Sequence, residues 1–153
     1  MPKHHRLKDY FTSTLIATLL TSICLQVWAD DGDKVKPLAL RSIMQDMGKN
    51  MQVITDGISR EDWALVAKVA PLIADHPQPP LLEKMRILSF IGSDVATFKG
   101  YDGKTHEVAQ ALQQAALDGD GQGVISSFAA LQNSCLACHE RFRKQFVAHF
   151  YTK

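Results

Sequence analysis

Cysteine is scarce. The chain has three in 153 residues, Cys24, Cys135 and Cys138, which excludes the disulfide scaffold that holds many small secreted domains together. Aromatic residues are few, at 8%, and no stretch alternates apolar and polar positions as a half-buried strand does, so no sheet is expected. Charge of one sign is missing too: 17 Lys and Arg stand against 16 Asp and Glu, a formal net charge of +1. That balance provides no basic footprint for nucleic acid and no strong field to steer one partner. Long apolar runs are absent with one exception, residues 11–27.

That exception reads as an export signal. Lys3, His4, His5, Arg6 and Lys8 form a positive start, the apolar run follows, and Val27-Trp28-Ala29 ends it on the small residue expected before a signal-peptidase cut. Residues 1–29 are therefore the expected signal peptide, and the mature chain is expected to begin at Asp30 in the periplasm. An uncleaved anchor is the alternative, since the run approaches spanning length, but Thr12, Ser13, Thr14, Thr18, Thr21, Ser22 and Gln26 dilute it, and no stable membrane insertion is expected after cleavage. Ile23 before Cys24 is larger than a lipidation signal wants. Residues 30–153 suffice for one domain with one core, near neutrality once Lys3, Arg6, Lys8 and Asp9 are removed. Export would also place Cys135 and Cys138 in an oxidising compartment.

The mature chain reads as helix after helix. Leu40, Ile43, Met44, Met47, Met51, Ile54 and Ile58 recur at steps of three and four, one apolar helical face. Ser59 to Asp62 resembles a capping box opening a second helix with Trp63, Val66, Ala67, Ala70 and Ile73, which Pro71 should kink. His76-Pro77-Gln78-Pro79-Pro80 starts a crossover with a short helix expected at about residues 82–88. A third helix carries Val108, Ala109, Leu112, Ala115 and Ala116, its start blurred by Gly100 and Gly103, and Asp118-Gly119-Asp120-Gly121 is a turn, too short for a calcium loop. The fourth, about residues 123–149, aligns Val124, Phe128, Leu131, Cys135, Cys138, Phe142 and Phe146. Four such stripes are best buried in an all-α, antiparallel four-helix bundle.

The strongest chemical signal rides on the core face of that last helix: Cys135-Leu136-Ala137-Cys138-His139. Two cysteines three apart stand nearly one helical turn apart, so both sulfurs reach one edge of a flat group. C-x-x-C-H is the spacing of covalent c-type haem attachment; the sulfurs would form thioethers with two vinyl groups, and His139 would sit under the iron as a usual axial ligand. A redox dithiol belongs in a βαβ context at a helix start, which this chain lacks. Zinc needs four ligands, and His76, His106 and His149 are unpaired in sequence. A structural disulfide is the remaining alternative.

With these features the chain resembles the cytochrome c′ family of exported bacterial four-helix bundles, over the whole mature length. Cys135 to Lys144 is similar to the family's ending, in which an aromatic and then a basic residue follow the haem histidine, and Ile43 to Met51 is similar to the first helix of its low-spin branch. The resemblance implies one covalent haem c, held through Cys135 and Cys138 with His139 as axial ligand, Met44 as the sixth ligand and Arg143 as the basic neighbour of His139. A bound thioether raises the potential and saturates the iron, which suits one-electron transfer to a redox partner protein rather than enzymatic catalysis. The alternative is a five-coordinate haem that binds nitric oxide or carbon monoxide, with Met44 only lining the pocket; Met47 and Met51 read as core gap-fillers. Arg41, almost one turn before Met44, is a candidate partner for a haem propionate or a solvated surface residue. Family members often pair through their first two helices, so a homodimer is one expected assembly.

Overall fold

The computed structural model describes residues 37–151, all of them within one compact unit, Lys36–Lys153. The expected signal peptide and the cut before Asp30 lie outside the described residues. Among the described residues every regular element is helical: α1 Ala39–Ser59, α2 Trp63–Val69, α3 Pro71–Ala74, α4 Leu81–Ile91, α5 Val95–Leu117, α6 Gly121–Cys138 and α7 Lys144–Phe150. They compose four rods: α1; α2 with α3; α5; and α6 continued through a π-helical turn, His139–Arg143, into α7. The crossover between the second and third rods holds α4, joined to α5 by one 3₁₀ turn at Gly92–Asp94.

Local chemistry explains most boundaries. Pro71 does what a ring without an amide hydrogen must: α2 stops at Val69 and α3 restarts with Pro71 in its first turn. Asp62, not Ser59, caps α2, its side chain accepting from the Leu65 amide at 3.0 Å. Ser59 still belongs to α1 and its hydroxyl donates to the Thr55 carbonyl, so the cap sits three residues later than the sequence pattern suggests. Between them Glu61 takes a left-handed φ of 55°, a strained conformation for a residue with a Cβ. Gly57 lies within α1, which runs on to Ser59. It lies where α2 crosses closest, and a Cβ there would meet Val66 Cγ2 at 3.0 Å. Gly100 and Gly103 do not delay α5, which starts at Val95.

Two apolar clusters fill the interior. The first joins Ile54 of α1, Val66 to Ala74 of α2 and α3, Val108 to Ala116 of α5, and Val124 and Leu131 of α6, with Met47, Met51, Trp63 and Phe128 packed against it. The second is aromatic: Phe142, Phe146 and Phe150 pack with Leu38 and Ile87, flanked by Leu40, Phe90, Phe98, Tyr101 and Cys138. Phe98 meets Phe142 edge-on at 5.3 Å and Phe90 meets Phe146 at 5.5 Å, geometries aromatic quadrupoles favour. The π turn keeps these rings in line. Phe142, Phe146 and Phe150 follow Cys138 in steps of four, each of which overshoots a turn of a 3.6-residue helix by about 40°. A turn widened toward i→i+5 bonding absorbs the overshoot.

Leu112 is fully buried in the first cluster, whereas Leu117 at the end of the same helix is 64% exposed. Leu112→Ala is expected to cost about 2–5 kcal/mol and Leu117→Ala to stay within roughly 0.5 kcal/mol of wild type, read from urea denaturation midpoints.

Candidate functional site

The cysteine motif lies where one cluster gives way to the other. On α6, Phe128 and Leu131 belong with the first cluster and Cys138 with the second, leaving Ser134 and Cys135 between them. On α5 the second cluster ends at Tyr101 and the first begins at Val108, with Asp102, Thr105 and His106 between. On α1 the same interval, between Leu40 and Met47, holds Ile43 and Met44. On each of three helices, then, Cys135, Thr105 and Met44 fall between the residues that join the two clusters. The α5–α6 pair packs tightly, and α1 packs on α2 and α3. Among the described residues α1 and α6 are not an extensively packed pair; they meet through the first cluster, where Met47 and Met51 pack with Phe128 and Leu131.

Cys135 and Cys138 are half-buried free thiols. Burial, then the nearby Asp102 carboxylate and Cys135, pushes the Cys138 thiol up to about 11, and burial also raises that of Cys135. Redox dithiols are activated in the opposite direction. No group of three or more His, Cys, Asp or Glu side chains able to hold a metal ion occurs among the described residues, so zinc finds no ligand set. His139 opens the π turn and reaches an open groove with Leu136, Glu140, Arg143, Lys144 and Val147. Its side chain is exposed, but desolvation by its neighbours, then the Arg143 guanidinium, lowers its pKa below the usual histidine value, which favours a neutral imidazole with a lone pair for a metal. The turn is anchored from outside: Arg141 donates to Asp94 Oδ2 at 2.6 Å.

The other sequence candidates fall into distinct places. Met44 is 38% exposed and belongs to neither cluster. Arg143 lines the groove beside His139. Arg41 stacks over the Tyr151 ring at 5.6 Å, at the start of α1. His149 stacks on Phe90 at 4.2 Å, and His106 Nδ1 faces the Ala74 carbonyl at 2.8 Å.

A family model for cytochrome c′ matches residues 39–143, from the first residue of α1 to the last of the π turn and well over half the chain. The chain belongs to the cytochrome c′ family. Membership of the cytochrome c′ family implies haem c as its cofactor. No curated protein and no solved structure gave a match.

Two features beside the motif had no local sequence signal. The Thr105 and Ser134 hydroxyls meet at 3.0 Å in the α5–α6 interface, both buried. Each also contacts a carbonyl of its own helix, Tyr101 and Leu131, so two protons serve three bonds and one contact is always given up. His76 at the end of α3 reaches α5, its Nε2 3.3 Å from Asp102 Oδ1 and its Nδ1 3.1 Å from the Ile73 carbonyl. Both ring nitrogens face acceptors, which favours the imidazolium.

The bond to Asp102 raises the His76 pKa above 6.5 against the opposing effect of burial, and the bond to His76 lowers that of Asp102 below 3.8. The stabilisation is therefore fully present between those two ordinary values. It is lost as pH rises through the raised His76 value and as pH falls through the lowered Asp102 value. Asp102→Asn is expected to destabilise the protein clearly at about pH 5.5 and much less at about pH 9, as equilibrium urea unfolding at the two pH values would measure.

Proposed function

We propose that the protein is a periplasmic mono-haem c-type cytochrome that carries single electrons and catalyses no bond-making reaction. The observation that carries this reading is the Cys135-Leu136-Ala137-Cys138-His139 motif on a helix at the level where the two apolar clusters part. Haem c supplies a one-electron iron couple when bound. Cys135 and Cys138 provide two sulfurs on one helical turn for covalent attachment. His139 provides a neutral imidazole, aimed by the π turn, a feature found often at functional sites. Arg143 beside it favours that neutral form. Met44 stands on α1 between the residues that join the two clusters as the candidate sixth ligand, and a bound thioether keeps small ligands and water off the metal. Arg41 lies at the same end of α1, a candidate for a propionate once it leaves Tyr151.

The signal-like residues 1–29 support export, and no described helix is long and apolar enough to cross a membrane. The partners in this reading are a redox protein and a second copy of the chain, for which Val53 on α1 and Leu72 on α3 are exposed on the first two rods. A second reading, a five-coordinate protein that binds nitric oxide or carbon monoxide, is favoured by one observation: Met44 is partly exposed and packed into neither cluster.

Intact mass of periplasmic protein co-expressed with haem-attachment machinery is expected to equal residues 30–153 plus one haem; a mass without the haem increment rejects the proposal. Absorbance spectra then separate the readings. The electron carrier is low-spin in both oxidation states and reacts slowly with carbon monoxide. Met44→Ala is expected to become high-spin and five-coordinate when reduced and to bind carbon monoxide readily, while Met47→Ala and Met51→Ala keep the wild-type spectrum. A wild type already high-spin when reduced selects the gas-binding reading.

A further inference from the structure

The first turn of α1 is closed from a distance. A helix leaves its first amides without intrahelical partners, and an N-cap side chain usually accepts from one of them. The N-cap here is Leu38, which makes no side-chain cap bond. Instead the amides of Ala39 and Leu40 donate to Oε2 and Oε1 of Glu83 on α4, at 2.8 and 2.9 Å and 44 and 43 residues away. Both carboxylate oxygens are engaged, and the negative charge sits where the helix dipole attracts it. Leu38 and Leu40 pack in the second cluster and Arg41 lies over Tyr151, so this end of α1 is pinned. Further along α1, Ile43 is buried, Met47 and Met51 pack against the first cluster, and Ile54 and Gly57 meet α2.

Met44 lies between this pinned start and Met47, about one and a half turns after Ala39, partly exposed and packed into neither cluster. We propose that Glu83 is a positioning residue for Met44: its carboxylate sets the height and rotation of the first turns of α1, and with them the reach of the Met44 sulfur toward a group held on α6. The inference rests on the coordination reading above. Without the carboxylate two amides lose their acceptor, the first turn opens to water, and the Met44 turn gains freedom that competes with holding its sulfur at the metal.

The test uses the holoprotein and carbon monoxide, whose association waits for the sixth ligand to leave. Glu83→Ala is expected to speed association roughly tenfold, as the fraction of protein with Met44 displaced grows, and to speed amide hydrogen exchange in the first turns of α1. Glu83→Gln, which keeps one acceptor oxygen, falls between it and wild type. Asp62→Ala removes the cap of α2 and serves as the control for general loosening; it is expected to lower stability while leaving the carbon monoxide rate unchanged. A wild-type rate in Glu83→Ala, or an equal acceleration in Asp62→Ala, overturns the inference when Met44→Ala opens the iron. A silent Met44→Ala overturns the coordination reading itself and the positioning role with it.

Discussion

Both apolar clusters are built on one continuous rod, from Gly121 to Phe150, and that shared spine constrains everything around it. Val124 and Leu131 must face the first cluster while Phe142, Phe146 and Phe150 face the second, so the rod cannot rotate to suit one without exposing the other. Close-packed interiors tolerate little such adjustment. The π turn is the local solution, taking up the angular drift of successive four-residue steps without breaking the rod. Its first residue is His139. The place where the helix departs from regular geometry is thus the place where the histidine must point away from the core that its neighbours Cys138 and Phe142 enter.

α1 is held differently. It has a close contact with α2, where Gly57 lets backbones approach, a polar clasp from Glu83 at its start, and Met47 and Met51 packed on the first cluster between them. Met44 is 38% exposed while Ile43 beside it is buried, so its exposure follows from the face of α1 that it occupies.

Much of this was legible from residue spacing. The steps of three and four placed all four rods and Pro71 located the break in the second; the C-x-x-C-H spacing falls on α6, where the proposed attachment lies. What spacing missed was non-local or fell on a boundary. Ser59 and Asp62 both qualify as caps, and only the fold, with Glu61 turned to positive φ, decides that Asp62 serves. Glu83 reads as an ordinary first-turn acid of α4, since its partners are more than forty residues away. The π turn did leave a trace, the unbroken four-residue steps from Cys138 to Phe150, which an ideal α-helix would not keep on one face. His76 and Asp102 lie too far apart in sequence to announce a pair.

The break between the clusters also bears on why the motif lies where it does. A site inside either cluster would have to displace side chains already packed to interior density, at a cost comparable to overpacking a core. At the break Thr105 and Ser134 face each other and Asp102 is held by His76, so a flat apolar body entering there would meet polar groups that already have partners. Such a body would contact the ends of both clusters at once. Attachment through Cys135 and Cys138, as proposed, would keep it from dissociating, so its contribution to the folded state would not depend on free ligand concentration, as it does for a reversibly bound group. The rod that carries the motif contributes to both clusters, and a cofactor fixed there, as proposed, would tie their junction together.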